Sequence, residues 1–525
     1  MTLFSRPNRL SAPVHIAQAA IISIALWIPS GVGSQTPNAV SSTASLPNLG
    51  DGGSMTASAE RRLGDRIARE LYRDPDYLDD PVIMEYVQAI WQPLLAAARL
   101  RGELPVEIDG AFAWEILLGR DRTVNAFALP GAYLGLHLGL VGVVASRDEL
   151  ASVLAHELSH VTQRHISRLM SRQSEMAPWV MGAMILGVLA ASKSPGAANA
   201  MIVGGQAASV QSQLNFSRDM EREADRVGFG VLSQAGFEPQ AFVSMFEKLQ
   251  QASRLNDSGG FPYLRSHPLT TERMSDMQTR LPQGNAHGIA PVAGSADLVH
   301  AMVSARARVL SNANVDGLRA WAAQVAPAEM AKMAVPAQVA VLYGATLAAL
   351  KLREFAAAQA AWSRLDALTR ADVAAARTTA LLGGELALAQ GAPARAKTLL
   401  QGVPDTGRAA LFLRAQADIS LGKAEAVAQS LQTWLADHSR DAQAWQWLAQ
   451  ANAAQGKAVA SIRAQAEASV VRFDYVAALD QLKAAQALVR QGAGGPGGAD
   501  HIEASILDTR TRQVELLVRE QAVER

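Results

Sequence analysis

From Ala59 onward the apolar positions recur at helical spacing, through "ERRLGDRIARELY" and on through "DPVIMEYVQAIWQPLLAAA". Over 105–118, "PVEIDGAFAWEILL", the period shortens to alternation, and Phe112, Trp114, Ile116 and Leu118 fall on one face of a predicted strand. The next stretch, "TVNAFALPGAYLGLHLGL" (123–140), carries a turn at Pro130-Gly131. Leu134, Leu136 and Leu138 then alternate with Tyr133, Gly135 and His137. These stretches predict a small sheet ahead of a strong helix, "SRDELASVLAHELSHVTQRHISRLM". Ser146 is its N-cap candidate, and Glu149 three residues later completes a capping box. Residues 176–190 are strongly apolar and 200–210 are small and apolar. They predict a buried helical hairpin, with a membrane-touching or site-covering segment as the alternative. Residues 213–235 predict a further helix, stopped by Gly236 and Pro239.

After about residue 300 the pattern becomes alanine-rich helix with short breaks. "LALAQGAPARAKTLL", "ADISLGKAEAVAQSL" and "ANAAQGKAVASIRAQ" each place a glycine turn between two small-residue helices. Gly391, Gly422 and Gly456 stand 31 and 34 residues apart. "LAALKLREFAAAQAAW" (347–362) has the same form without the glycine. The spacing resembles tetratricopeptide repeats, whose period is about 34 residues and whose stacking gives a concave groove for peptides or protein partners. "QGAGGPGGAD" (491–500) is a Gly-rich linker before a last helix at 501–525.

The N-terminus reads as an export signal over 1–34. Arg6 and Arg9 precede the apolar "AQAAIISIALWI" and the small residues of "SGVGSQ". Residues 35–56, rich in Ser, Thr, Pro and Gly, predict a linker. The mature chain is then expected in the periplasm. The 525 residues carry 49% apolar and 18% charged side chains and no net charge, which is globular and offers no electrostatic case for nucleic acid. Aromatics at 5% and abundant alanine favour helix, so the expected class is α+β, mainly α. The absence of cysteine excludes disulfides, thiolate metal sites, a cysteine nucleophile and a lipid-anchored N-terminal cysteine.

Three of the ten histidines fall in "LAHELSHVTQRH" (154–165). His156 and His160 are four apart, so on a helix both imidazoles project from one face at a separation that suits one zinc ion. Glu157, beside the first, can take a proton from a metal-activated water without ligating the metal. Chance produces H-E-x-x-H in roughly 1% of chains with this histidine content, and few such matches lie on a capped helix. His165 does not extend the motif to a metzincin, because Gln163 stands where that pattern needs glycine and the spacing is one residue short. It is expected on the same helix, rotated away from the pair, in a supporting or structural role. "SRDMEREADRVGF" offers the third ligand. Glu221 and Asp225 share a helix face, so Glu221 could bind the metal while Asp225 orients a ligand histidine. Glu223 faces elsewhere and is expected in solvent.

"HELSHVTQRH", followed some sixty residues on by "SRDMEREAD", resembles the M48 family of zinc metallopeptidases, in its exported branch with C-terminal tetratricopeptide repeats. "NAFALPGAYLGLHLGLV" and "SHPLTTER" (266–273) are similar to that family's segments before and after the zinc helix, although "PGA" stands where the family has two glycines. The resemblance implies a zincin-like peptidase domain over 57–285 and helical repeats over 300–490. It implies one Zn2+ on His156, His160 and Glu221, with Glu157 catalytic and Asp225 behind the ligands. It also places His267 near the metal, where it stabilises the oxyanion or acts as a fourth ligand that holds the enzyme latent. Arg218 and Arg265 are the lesser oxyanion candidates. Substrate is expected to add as a strand to a sheet edge at Gly131 to Leu138. The implied substrates are unfolded or misassembled proteins, and the implied partners are outer-membrane beta-barrel precursors and their assembly machinery. A chaperone-like binding module with a latent site is the alternative.

Overall fold

The computed structural model describes residues 55–172, 217–255, 261–281, 295–404, 407–491 and 499–523. The expected export signal, most of the linker after it, the apolar stretches at 176–190 and 200–210, and most of the Gly-rich linker lie outside the described residues.

Helix α1 (Ala57–Arg73) starts at Thr56, whose hydroxyl accepts from the Ala59 N–H, and buries Leu63 and Ile67. Gly64 lets it press on the Pro130 turn, since a Cβ there would lie 2.0 Å from the Pro130 carbonyl oxygen. Helix α2 (Pro81–Leu100) starts at Asp80, which caps the Ile83 N–H, and buries Ile83, Val87, Ile90, Trp91 and Leu94. The predicted strand at 105–118 is corrected. Residues Val106–Ala111 form a short helix, α3, after Pro105 at its N-cap, and the strand begins only at Glu115. Phe112 therefore lies between the two elements and does not share a strand face with Ile116.

The sheet has four strands: β1 (Tyr77–Leu78), β2 (Glu115–Gly119), β3 (Ala126–Leu129) and β4 (Tyr133–His137), in the order β1-β2-β4-β3. β2 and β4 run parallel with Ile116 opposite Leu134, and β3 pairs antiparallel with β4 through the Pro130-Gly131 turn, with Phe127 opposite Gly135. Gly131 takes φ +72, which only glycine adopts freely. All five residues of β4 are buried, so the sheet is covered on both faces there, and Leu138 opens the next helix, α4 (Leu138–Val143). Because β4 is paired on both sides it cannot accept a further strand, and the expected docking edge at Gly131 to Leu138 is corrected. β3 is the edge on that side.

Helix α5 (Arg147–Thr162) follows. The Ser146 hydroxyl accepts from the Glu149 N–H as expected, while the Glu149 carboxylate caps the Ala145 N–H. Every residue of α5 from Glu149 to Thr162 is buried. It packs against β3, α2, α7 (Arg218–Gln234) and α8 (Gln240–Leu255), with α9 (Tyr263–Ser266) and α10 (Thr271–Arg280) closing the side. The helix does not run on through His165. Arg164 adopts φ +53, and a separate helix, α6, spans His165–Arg172.

Beyond α11 (Ser295–Ser311) and α12 (Val315–Ala322) the chain stacks antiparallel helical hairpins. They are α13 (Val335–Lys351) with α14 (Phe355–Thr369), α15 (Val373–Ala389) with α16 (Pro393–Leu400), α17 (Arg408–Ser420) with α18 (Ala424–Asp437), α19 (Ala442–Ala454) with α20 (Ala458–Val471), and α21 (Tyr475–Arg490) with α22 (Ala499–Val523). Gly391, Gly422 and Gly456 take positive φ in the turns within hairpins. Arg353, in the copy that lacks the glycine, takes φ +61 at the same place. One buried apolar cluster runs without interruption from Ile83 in α2 to Leu382 in α15.

The array curls back on the α1–β2 region. Arg408 holds Asp79 and Asp441 together, Arg440 meets Glu115, Arg377 meets Glu85, and at the far end Arg73 meets Asp474 while the Tyr72 and Phe473 rings lie 6.2 Å apart. The inner face of the hairpins thus faces this chain's own α1, α2 and β2. A cavity of about 790 Å³ remains between them, lined among others by Trp114, Glu115, Arg408 and Trp434. Among the described residues no helix is long and apolar enough to cross a membrane.

Candidate metal centre

Helical spacing places His156 and His160 one turn apart on α5, and α7 lies alongside with Glu221 one turn into the helix. The short helix α9 ends at His267, whose backbone N–H donates to the Tyr263 carbonyl. The four side chains converge in the interior, each at most 2% exposed. His156 Nε2 lies 3.0 Å from His160 Nε2, 3.3 Å from His267 Nδ1 and 3.5 Å from Glu221 Oε2. Glu221 Oε1 lies 3.5 Å from His160 Nε2 and 3.0 Å from His267 Nδ1. One ligand atom from each of the four falls within 4.8 Å of every other.

That spacing fits a metal ion. A tetrahedral ion about 2.0–2.1 Å from each ligand, as zinc prefers, sets the ligand atoms about 3.3 Å apart. The donor chemistry agrees, because three imidazole nitrogens and a carboxylate oxygen converge on one point of a dry interior, a set suited to a shared cation. Glu221 Oε2 has the Arg273 guanidinium 2.8 Å away as its ion partner but no hydrogen bond of good geometry.

Around the ligands stand further anchors. Asp225 Oδ1 lies 3.0 Å from His156 Nδ1, the nitrogen turned away from the cluster, as the sequence suggested for this residue. Arg273 clamps Asp225 with two hydrogen bonds of 2.6 and 2.7 Å and donates to the Pro268 carbonyl. This arginine was not singled out from the sequence. It closes the "SHPLTTER" stretch, and only the packing of α10 across α7 brings it to Asp225. Tyr263 was also missed, and its ring lies 4.7 Å from that of His267. Arg218 and Arg265 are exposed at the ends of α7 and α9. Glu223 is not simply in solvent: its Oε2 accepts from Arg168 at 2.8 Å and lies 3.0 Å from His165 Nε2.

Glu157 is fully buried beside the cluster. Its Oε2 accepts from the Ala128 N–H at 3.0 Å, and its Oε1 lies 3.5 Å from His267 Nε2 with no hydrogen bond. The His137 N–H donates to the Asn125 carbonyl, so by alternation Ala126 and Ala128 turn their backbone groups away from β4, towards α5. Burial raises the Glu157 pKa against the lowering pull of His267 and His156. Burial would raise Glu221 as well, but His267 and His156 outweigh it and hold that carboxyl well below its usual range. Burial would lower His156, yet the Asp225 and Glu221 carboxylates, 3.0 and 3.5 Å from its ring nitrogens, lift it to about 9. The result is a metal-ready cluster with a neutralisable carboxyl about one side chain away, on the side of a strand edge.

Residues 85–281 match Peptidase family M48. A putative beta-barrel assembly-enhancing protease of Vibrio cholerae serotype O1 is 34% identical over 315 residues, 59% of this chain and 61% of that protein. The beta-barrel assembly-enhancing protease of Yersinia pestis is 33% identical over 281 residues, 53% of this chain and 55% of its own. The one from Escherichia coli K12 is 28% identical over 466 residues, 88% of this chain and 91% of its own. The chain thus spans 61% and 55% of the length of the first two of these relatives.

Proposed function

Residues 85–281 belong to peptidase family M48, and from that premise we propose that this chain is a zinc metalloendopeptidase of the periplasm. His156, His160 and Glu221 hold the ion and Glu157 moves the proton. The observation that carries the reading is the convergence of four buried ligand atoms within 4.8 Å of one another, with the buried Glu157 carboxyl beside them. Zinc held there polarises a scissile carbonyl and lowers the pKa of a water towards about 7. Glu157 takes the proton of the attacking water and delivers it to the leaving amine, a task suited to a carboxyl whose pKa burial has raised. Asp225 and Arg273 keep His156 in the tautomer that presents Nε2 to the metal. Substrate backbone adds along the edge strand β3, whose Ala126 and Ala128 turn their backbone groups away from β4 beside the Glu157 carboxylate. That mode reads main chain and suits unfolded or misassembled proteins. The names of the relatives support beta-barrel precursors of the outer membrane and their assembly machinery as substrates and partners, and hence a role in envelope quality control. The repeats are read as tetratricopeptide-like. Glu157→Gln should retain one zinc per chain by metal analysis and lose cleavage of casein. Normal casein cleavage by that variant would remove Glu157 from its role.

A second reading has a specific observation in its favour. His267 Nδ1 lies 3.3 Å from His156 Nε2 and 3.0 Å from Glu221 Oε1, which supports a fourth ligand that closes the site and leaves the chain a latent, chaperone-like binder. A rise in casein cleavage for His267→Ala supports latency, whereas a fall supports His267 as an oxyanion donor.

A further inference from the structure

Both metal-facing histidines of α5 have their outer nitrogens anchored, but in different ways. His156 meets a carboxylate directly, through Asp225. His160 turns its Nδ1 to a second imidazole, His165 Nδ1 at 2.9 Å, and His165 Nε2 in turn lies 3.0 Å from the Glu223 carboxylate, which Arg168 holds at 2.8 Å. On an unbroken helix residues 160 and 165 would point roughly 140° apart and could not meet. They meet because the helix breaks between them. Arg164 adopts the left-handed φ of +53, a conformation that costs a non-glycine residue of the order of 1 kcal/mol or more and persists where the surroundings enforce it. Its guanidinium is held by the buried Glu60 carboxylate at 2.8 Å and by the Met55 carbonyl, and its own carbonyl accepts from the Arg168 N–H to start α6. The break has a geometric product: a fully buried His165 ring aimed back at the outer edge of His160.

We propose that His165 is a positioning residue for the metal centre: its Nδ1 accepts the Nδ1–H of His160 and its Nε2–H donates to Glu223, fixing His160 in the tautomer that presents Nε2 to zinc. The relay is a carboxylate, an imidazole and then the ligand, one group longer than the Asp225 arm.

The proposal rests on the metal-centre reading above, and its test reads zinc affinity and not cleavage. The full chain is stripped with chelator and titrated with zinc against a chromophoric competitor, and the unfolding midpoint of each metal-free variant is recorded alongside. His165→Leu, which fills the space without an acceptor, should weaken zinc binding 10- to 100-fold, the usual effect of losing such a partner. His165→Asn places an oxygen where Nδ1 stood and should recover most of that loss. Glu223→Gln should fall between the two. Equal affinities for the Leu and Asn variants, at the wild-type value or below it, would overturn the proposal. Should His165→Leu fail to fold, the partly exposed Glu223→Gln decides alone, and wild-type affinity there refutes the relay. A chain that binds zinc with this pattern but cleaves no casein would sink the proposed function and leave the relay standing.

Discussion

At the scale of single residues the centre is a balance of buried charges, and the metal-free protein should show it. The His156 pKa of about 9 in the folded chain lies above the ordinary value of 6.5. Protonated His156 therefore contributes stability that is fully present below about pH 6.5 and is lost as pH rises through 9. His165, lowered to about 4, acts in the opposite sense and in another window: its contribution is lost as pH falls from about 6.5 towards 4. The midpoint of thermal unfolding of chelator-treated protein should decline between pH 6.5 and 9, and zinc should abolish that decline by taking the place of the proton. A flat metal-free profile over that window would contradict the Asp225 and Glu221 contacts to His156. His156 with His160, and Glu221 with Asp225, could be singled out in the sequence because helical periodicity relates positions four apart, and Glu157 because it stands beside the first histidine. Arg273 could not, because its role depends on α10 lying across α7, a long-range contact that no local spacing encodes.

At the scale of elements, what local chemistry dictates was readable. The Ser146 cap, the Pro130-Gly131 turn and the glycine turns of the hairpins all follow from residues within a few positions. The break at Arg164 was not readable, because arginine carries no preference for positive φ and the grip comes from Glu60, a hundred residues earlier. The 105–118 stretch misled for a related reason. Alternation over four residues cannot distinguish a strand from a short helix followed by a strand, and Pro105 at the helix start tipped the balance. Close approach between elements is equally invisible to pattern. Gly64→Ala would drive a methyl group into the Pro130 carbonyl and push α1 off the turn that joins β3 to β4. It should cost about 1–3 kcal/mol in urea unfolding, the usual cost of overpacking. A change below a few tenths would mean that α1 is free to shift.

For the whole molecule, the sequence's change of character near residue 300 marks a change of repeat pattern but not an end of the core. Arg306 on α11 is buried between the α2 cap Asp80, Glu385 of α15 and Tyr343 of α13, and it ties the two regions together through charge as well as through apolar packing. Arg306→Met leaves Asp80 and Glu385 buried without their cation and should cost about 3–5 kcal/mol. The peptidase region and the first hairpins should lose structure together, in one calorimetric transition at lower temperature. Two resolved transitions would show that the regions fold separately.

The second point of attachment, where Arg73 meets Asp474 and Tyr72 meets Phe473, has a consequence for how such a chain can evolve. Repeat arrays gain and lose copies readily by slippage when genes are copied, because each unit contacts only its neighbours. Here a unit inserted or deleted between α15 and α21 would move the second attachment by about the 8–10 Å that separates packed helices. Arg73 and Tyr72 would then lose Asp474 and Phe473. The number of hairpins between the two attachments is set by a length measured on the other half of the molecule, so drift in copy number is open only beyond α21.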